Sequence, residues 1–169
     1  MLLIQTNTTT TQKIINMIDE TDIKILNQLQ ENSNLTTKEL AVRVNLSTTP
    51  VFERVKRMER EGIIKKYMAV VDASKIGNSF MVLCNVRLKQ HTRECSQEFV
   101  EAMAHYNEVT ECFNVSGDYD YQIKVYVHNM NEYQSFVLNK LGLLTCIGSL
   151  HSTFVMGVVK QTNKVPVEK

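Results

Sequence analysis

The sequence predicts an α+β chain: an N-terminal three-helix (winged) helix-turn-helix unit, joined by a strand linker to a βαββαβ ferredoxin-like unit. Three observations predict it. Three short helices each open on their own capping residue before Gly62. The last two are separated by only Asn45-Leu46-Ser47. Beyond Gly62 the apolar period changes from that of a helix to that of a strand, and strand and helix then alternate to Val159.

The first helix opens at Asp19, with Asp22 three residues on as a short-armed capping box and Ile18 and Ile23 at the staple positions. Ile23, Leu26 and Leu29 continue its apolar face. Thr36 with Glu39 repeats the box, and Leu35 with Leu40 repeats the staple. Leu40, Ala41 and Val44 form the buried side of this second helix, and Asn45, which tolerates positive φ, ends it. Ser47 opens the third, Pro50 is tolerated in its first turn, and Gly62 suits the left-handed residue that closes it.

At 100° per residue Val51, Val55 and Met58 share one face of this third helix. Thr49, Glu53, Lys56, Arg57 and Arg60 gather opposite. So short a turn leaves the helix projecting, able to enter a major groove. Thr48, Thr49, Glu53 and Arg57 then face base edges, while Lys56, Arg60, Lys65 and Lys66 lie nearer phosphates. The whole expected DNA-facing set is Thr37, Ser47, Thr48, Thr49, Pro50, Glu53, Arg54, Lys56, Arg57 and Arg60. From Ser47 to Lys66 six Lys/Arg stand against three Glu, a local charge of +3 that favours an anionic partner. An αα corner in a protein without DNA is the alternative reading of the same signal.

The segment 67–78 reads as a linker strand on the alternation of Tyr67, Ala69 and Val71, with a turn at Gly77. In the region 79–160 the strands are expected at Phe80–Leu88, Val109–Val115, Tyr121–Val127 and Ser152–Val159. A helix carrying Cys95, Phe99, Met103 and Tyr106 follows the first strand. Another, opened by Asn129 and Glu132, carries Tyr133, Phe136, Val137 and Leu141. Apolar residues on both faces of the first and last strands leave one sheet face to be covered. A second copy of the chain is the expected cover, and a ligand or lipid surface the alternative.

Composition narrows the function classes. A net charge of +1 over 169 residues rules out non-specific electrostatics as the main binding force of the whole molecule. Residues 1–66 carry +2 and residues 67–169 carry −1, a slight bias toward an anion-facing first half. Cys84, Cys95, Cys112 and Cys146 show no metal-ligand spacing with one another or with the four His, and read as buried reduced thiols. Neither a metal nor a cofactor is expected. No apolar run approaches the ~18 residues of a membrane span, and Met1-Leu2-Leu3-Ile4 is too short for a signal peptide, so a cytoplasmic location is expected. Residues 1–16, with Thr8 to Thr11 in a row, read as a flexible tail, and 161–169 as a C-terminal tail.

Three stretches together resemble the Lrp/AsnC family of leucine-responsive and feast/famine transcription regulators. They are Asp22-Ile23-Lys24-Ile25-Leu26, then Leu46 to Pro50 with Glu53 to Glu59 and Gly62-Ile63-Ile64, and then Ser116-Gly117-Asp118-Tyr119-Asp120-Tyr121. The resemblance runs from about Ile18 to Val167. It implies a regulator, not an enzyme, that binds double-stranded DNA and an amino acid or similar small metabolite. It also implies dimers assembled into rings, often octamers, with the effector where dimers meet. Carried over by position, Gly117, Asp118, Asp120, Met130, Ser152 and Thr153 line the effector site, where a carboxylate suits an α-ammonium group. A plain turn, with Asp118 and Asp120 bonding their own backbone, is the other reading. Thr145-Cys146 stands where the family usually has Pro-Gly. Two other functions compete: an architectural DNA wrapper without an effector, and an enzyme resembling sirohaem decarboxylases, for which the dispersed His residues offer no cluster.

Overall fold

The computed structural model describes residues 18–167, so the tail read over 1–16 lies outside the described residues. The chain divides into two compact units. One runs through Val70 and takes back the segment from Gln161, and the other is Val71–Lys160.

The first unit holds α1 (Glu20–Glu31), α2 (Thr37–Arg43) and α3 (Thr48–Arg60). Both expected capping boxes close. The Asp22 N–H donates to Asp19 Oδ1 at 2.8 Å and the Asp19 N–H to Asp22 Oδ2 at 3.0 Å, so the short Asp arm suffices. Thr36 and Glu39 exchange the same pair of bonds at 2.8 and 3.2 Å. Ser47 is the N-cap of α3, but its side chain accepts no bond. Pro50 sits at the third helical position and has no N–H to offer, which removes one of the two usual donors to a cap. Asn45 is left-handed at φ 56° and Gly62 at φ 71°, as the helix ends require.

The core of this unit is Ile25, Leu26, Leu40, Ala41, Val44, Val51 and Met58. In α1 the buried residues are Asp22, Ile25 and Leu26. Of the expected Ile23, Leu26 and Leu29, Leu26 is buried, Leu29 packs on the core partly buried, and Ile25 takes the central place expected of Ile23. The i, i+3, i+4 spacing holds, and it brings Asp22 onto the side where Arg54 and Arg57 of α3 meet it.

The expected linker strand does not form. Residues 65–72 join no ladder, and Ala73–Ile76 is a 3-10 turn capped by Asp72 and closed by Gly77 at φ 76°. An extended run needs a neighbour to pair with, and the described residues of this chain supply none. The C-terminal stretch expected as a tail is docked on α1 instead. Gln30 and the Val165 backbone exchange two hydrogen bonds (3.0 and 2.7 Å), Lys164 pairs with Glu31, and Val167 packs on the core.

The second unit is a four-stranded sheet with two helices on one face. The elements are β1 (Phe80–Leu88), α4 (Arg93–His105), β2 (Val109–Asn114), β3 (Tyr121–Val127), α5 (Met130–Asn139) and β4 (Ile147–Phe154). All pairings are antiparallel in the order β2-β3-β1-β4, the expected βαββαβ arrangement. Val82, Cys84, Val86, Ile123 and Val125 point into the core against Phe99, Met103 and Phe136.

The last strand lies five residues earlier than expected. Its register against β1 runs from Leu88↔Ile147 to Val82↔Phe154. As an edge strand it shows Ser149, His151 and Thr153 outward, so its sequence looks like a loop. The apolar run after it lies beyond the ladder, with Met156 98% exposed and Val159 102%. The outer face of the sheet is therefore less apolar than expected. Met81, Leu83, Phe113 and Tyr126 sit among Asn85, Arg87, Gln122 and Lys124.

Candidate DNA-reading helix and effector site

Helix α3 buries Val51 and Met58 and leaves Thr48, Thr49, Pro50, Glu53, Lys56 and Arg60 exposed. Ser47 is exposed just before them, and Thr37 is half-buried at the start of α2. Lys56 bonds Glu59 at 2.7 Å and stands 5.8 Å from the centre of the Phe52 ring. Phe52 itself is half exposed on the polar side of α3, a residue the sequence reading passed over. Its signal was an aromatic between Val51 and Glu53, off the apolar seam.

Two expected DNA contacts are placed differently. Arg54 donates to Asp19 (2.7 Å) and Asp22 (2.9 Å), and Arg57 donates to Asp22 at 2.5 Å. Neither stands free on the exposed face. The reason is electrostatic: the Asp22 side chain is 0% exposed, and a buried carboxylate needs a cation beside it. Arg54 is held more firmly protonated by its bonds to Asp22 and Asp19. Burial acts to raise the Asp19 carboxyl, but the Asp22 N–H and Arg54 outweigh it and hold it below its usual value.

The residues expected to line the effector site stand at three places: the β2–β3 turn, the start of α5 and strand β4. Gly117, at φ 113°, shapes the β2–β3 turn, a conformation that favours glycine. Asp118 is exposed, and its carbonyl accepts from both Nε (2.8 Å) and a terminal nitrogen of Arg87. The Asp120 carboxylate accepts from the Leu88 N–H at 2.8 Å and lies 3.1 Å from His91 Nδ1. Arg87 and His151 flank Tyr119 in the same cluster. Asp120 therefore fastens the turn to β1, while Asp118 is the carboxylate left facing solvent.

Met130, 40% exposed, begins α5 at the opposite end of β3. Seven strand residues separate the two ends, roughly 20 Å at ~3.3 Å per residue. Ser152 faces inward, where its Oγ lies 2.6 Å from the Tyr133 hydroxyl, which is itself 2.9 Å from Cys84 Sγ. Thr153 faces outward, opposite Leu83. A single chain thus does not bring the six residues together. Arg87, His91 and Tyr119 stand beside the turn with no role expected from the sequence, and Tyr133, expected only as a core residue of its helix, reaches Ser152; only the outward phase of Arg87 in β1 could have been read in advance.

Cys84 and Cys146 are buried and Cys95 half-buried, but Cys112 is exposed on edge strand β2, against expectation. Burial, followed by the charge of Glu98, pushes the Cys146 thiol up to about 11. No group of three metal-ligating side chains occurs among the described residues, nor does any helix there suffice to cross a membrane.

Residues 18–65 match the winged helix-turn-helix DNA-binding domain, and residues 81–165 match the Lrp/AsnC ligand binding domain. The chain belongs to the Lrp/AsnC family. It is 31% identical over 153 residues to the transcriptional regulator AzlB of Bacillus subtilis, covering 90% of this chain and 98% of that one. To the leucine-responsive regulatory protein of Escherichia coli it is 34% identical over 122 residues, 72% of this chain and 74% of the relative. A transcriptional regulator of Neisseria meningitidis, solved as an L-Met complex, superposes with a TM-score of 0.84. The identity is 32%, over 88% of this chain and 96% of that one. These Lrp/AsnC relatives are named as regulators, not enzymes. The chain is a DNA-binding transcription regulator with a ligand-binding unit.

Proposed function

We propose that the chain works in the cytoplasm as a homodimer, and as a ring of such dimers, whose assembly or DNA affinity shifts with an amino acid. The observation that carries this reading is the split of the effector residues. Gly117 and Asp118 stand at one end of the sheet and Met130 at the other, and juxtaposing copies is the simple way to complete one site. Two further features support self-association. The outer sheet face carries Met81, Leu83, Phe113 and Tyr126, and the unladdered linker exposes Tyr67, Met68, Val70 and Val71.

The exposed Asp118 carboxylate suits an α-ammonium group, and a Neisseria relative has been solved with L-Met. A dimer presents two copies of α3, with Thr48, Thr49 and Glu53 toward bases and Lys56 and Arg60 toward phosphates. Sedimentation of the purified chain with each amino acid in turn tests the proposal. A multiple of the chain mass that changes with at least one amino acid supports it. A monomer, or an assembly that no amino acid alters in size or DNA affinity, contradicts it.

A further inference from the structure

We infer that Asp22 sets DNA specificity by holding Arg57 off the duplex. The inference rests on the DNA-reading role of α3. Asp22 has both carboxylate oxygens occupied: Oδ1 accepts from Arg54, and Oδ2 accepts from the Asp19 N–H and from Arg57. Its side chain is wholly buried, while that of Arg57 is 29% exposed. Arg57 Nε is itself buried with no hydrogen-bond partner, so the guanidinium is fixed by the charge of Asp22 and not by a full set of bonds.

On an isolated helix Arg57 would pair with Glu53, four residues earlier. Here it turns away to Asp22, and Glu53 makes no ion pair among the described residues. Two consequences follow for the exposed face. A phosphate must compete with a desolvated carboxylate to capture Arg57, so this cation adds little to non-specific binding. The uncancelled Glu53 repels backbone phosphate, yet it accepts well from a cytosine amino group. Asp22 is thus a positioning residue. It withholds one cation per protomer from sequence-independent attraction and leaves Glu53 to discriminate.

The test is a salt series of binding to random-sequence duplex, alongside a duplex selected by the native chain. Asp22→Asn keeps the shape and the acceptor for the Asp19 N–H but removes the charge. It is expected to bind random duplex more tightly and to steepen the log–log salt slope by about 0.9 for each Arg57 that reaches a phosphate. Its preference for the selected duplex should fall. In the native background Arg57→Ala should leave the slope on random duplex unchanged, and in the Asp22→Asn background it should restore the native slope. A folded Asp22→Asn chain with an unaltered slope overturns the inference, as does an Arg57→Ala chain with a flattened one. If Asp22→Asn fails to fold, the Arg57→Ala slope decides alone. A native chain that binds no duplex at any salt would overturn the DNA-reading role as well. A native chain that binds while the variants behave contrary to expectation overturns the inference only.

Discussion

Asp22 in the three-helix unit and Asp120 in the sheet unit each fasten one element to another, but with different partners. Asp22 is wholly buried and held by two guanidinium groups from α3. Asp120 is 19% exposed and held chiefly by a backbone N–H, with His91 at its other oxygen. The first is an ion cluster in which Arg57 loses its ion partner when the carboxylate goes, while Arg54 keeps Asp19. The second is a hydrogen-bonded turn that water can partly replace. The same residue type therefore orients a whole helix in one unit and shapes a local loop in the other.

That difference can be broken from either side. Asp22→Ala takes its ion partner from Arg57 and leaves Arg54 with Asp19 alone. Both arginines keep 29–30% of their side-chain surface in water, so the three-helix unit should lose about 3 kcal/mol, the low end for a buried pair. Urea unfolding followed by circular dichroism measures it, and a loss near that of a surface substitution would show the cluster to be idle. Asp120→Ala should cost less, about 1–3 kcal/mol, since it strands the Leu88 N–H without moving an element. The order of the two losses matters more than either value.

Gly117→Ala sharpens the contrast further. Its added methyl meets no neighbour, so any loss is backbone strain at φ 113°, about 1–3 kcal/mol, and should fall on the sheet unit only. The smallest effect is one of pH. The Asp19 carboxyl titrates below its usual 3.8 in the folded chain, so its contribution is complete above that value and is lost as pH falls through the lower one. Asp19→Asn should flatten this acid limb of a melting-temperature profile. An unchanged limb would assign it to other carboxylates.

Local chemistry was readable where one residue decides one conformation. Asp19, Thr36, Asn45 and Gly62 name the helix ends because caps and left-handed residues are sequence-local. Tyr121–Val127 was readable because alternation in a central strand tracks burial directly. Ile147–Phe154 was not, because an edge strand with Gly148, Ser149 and His151 borrows its order from β1. Asp22 read as a cap, which it is. Its second role depends on two arginines more than thirty residues away, and no local spacing reports that. The expected effector residues came from resemblance alone, and the separation of Gly117 and Asp118 from Met130 along β3 becomes visible only once that strand is in place.

Reading of DNA by α3, in a repeated assembly and under the control of a small metabolite, is open to one decisive measurement. Selection of bound duplexes from a random pool, with and without each amino acid, tests it most directly. The expected result is an enriched pseudo-palindrome with half-sites about one helical turn apart, or a multiple of that, whose enrichment changes with at least one amino acid. A pool that stays unstructured and indifferent to every amino acid would contradict it.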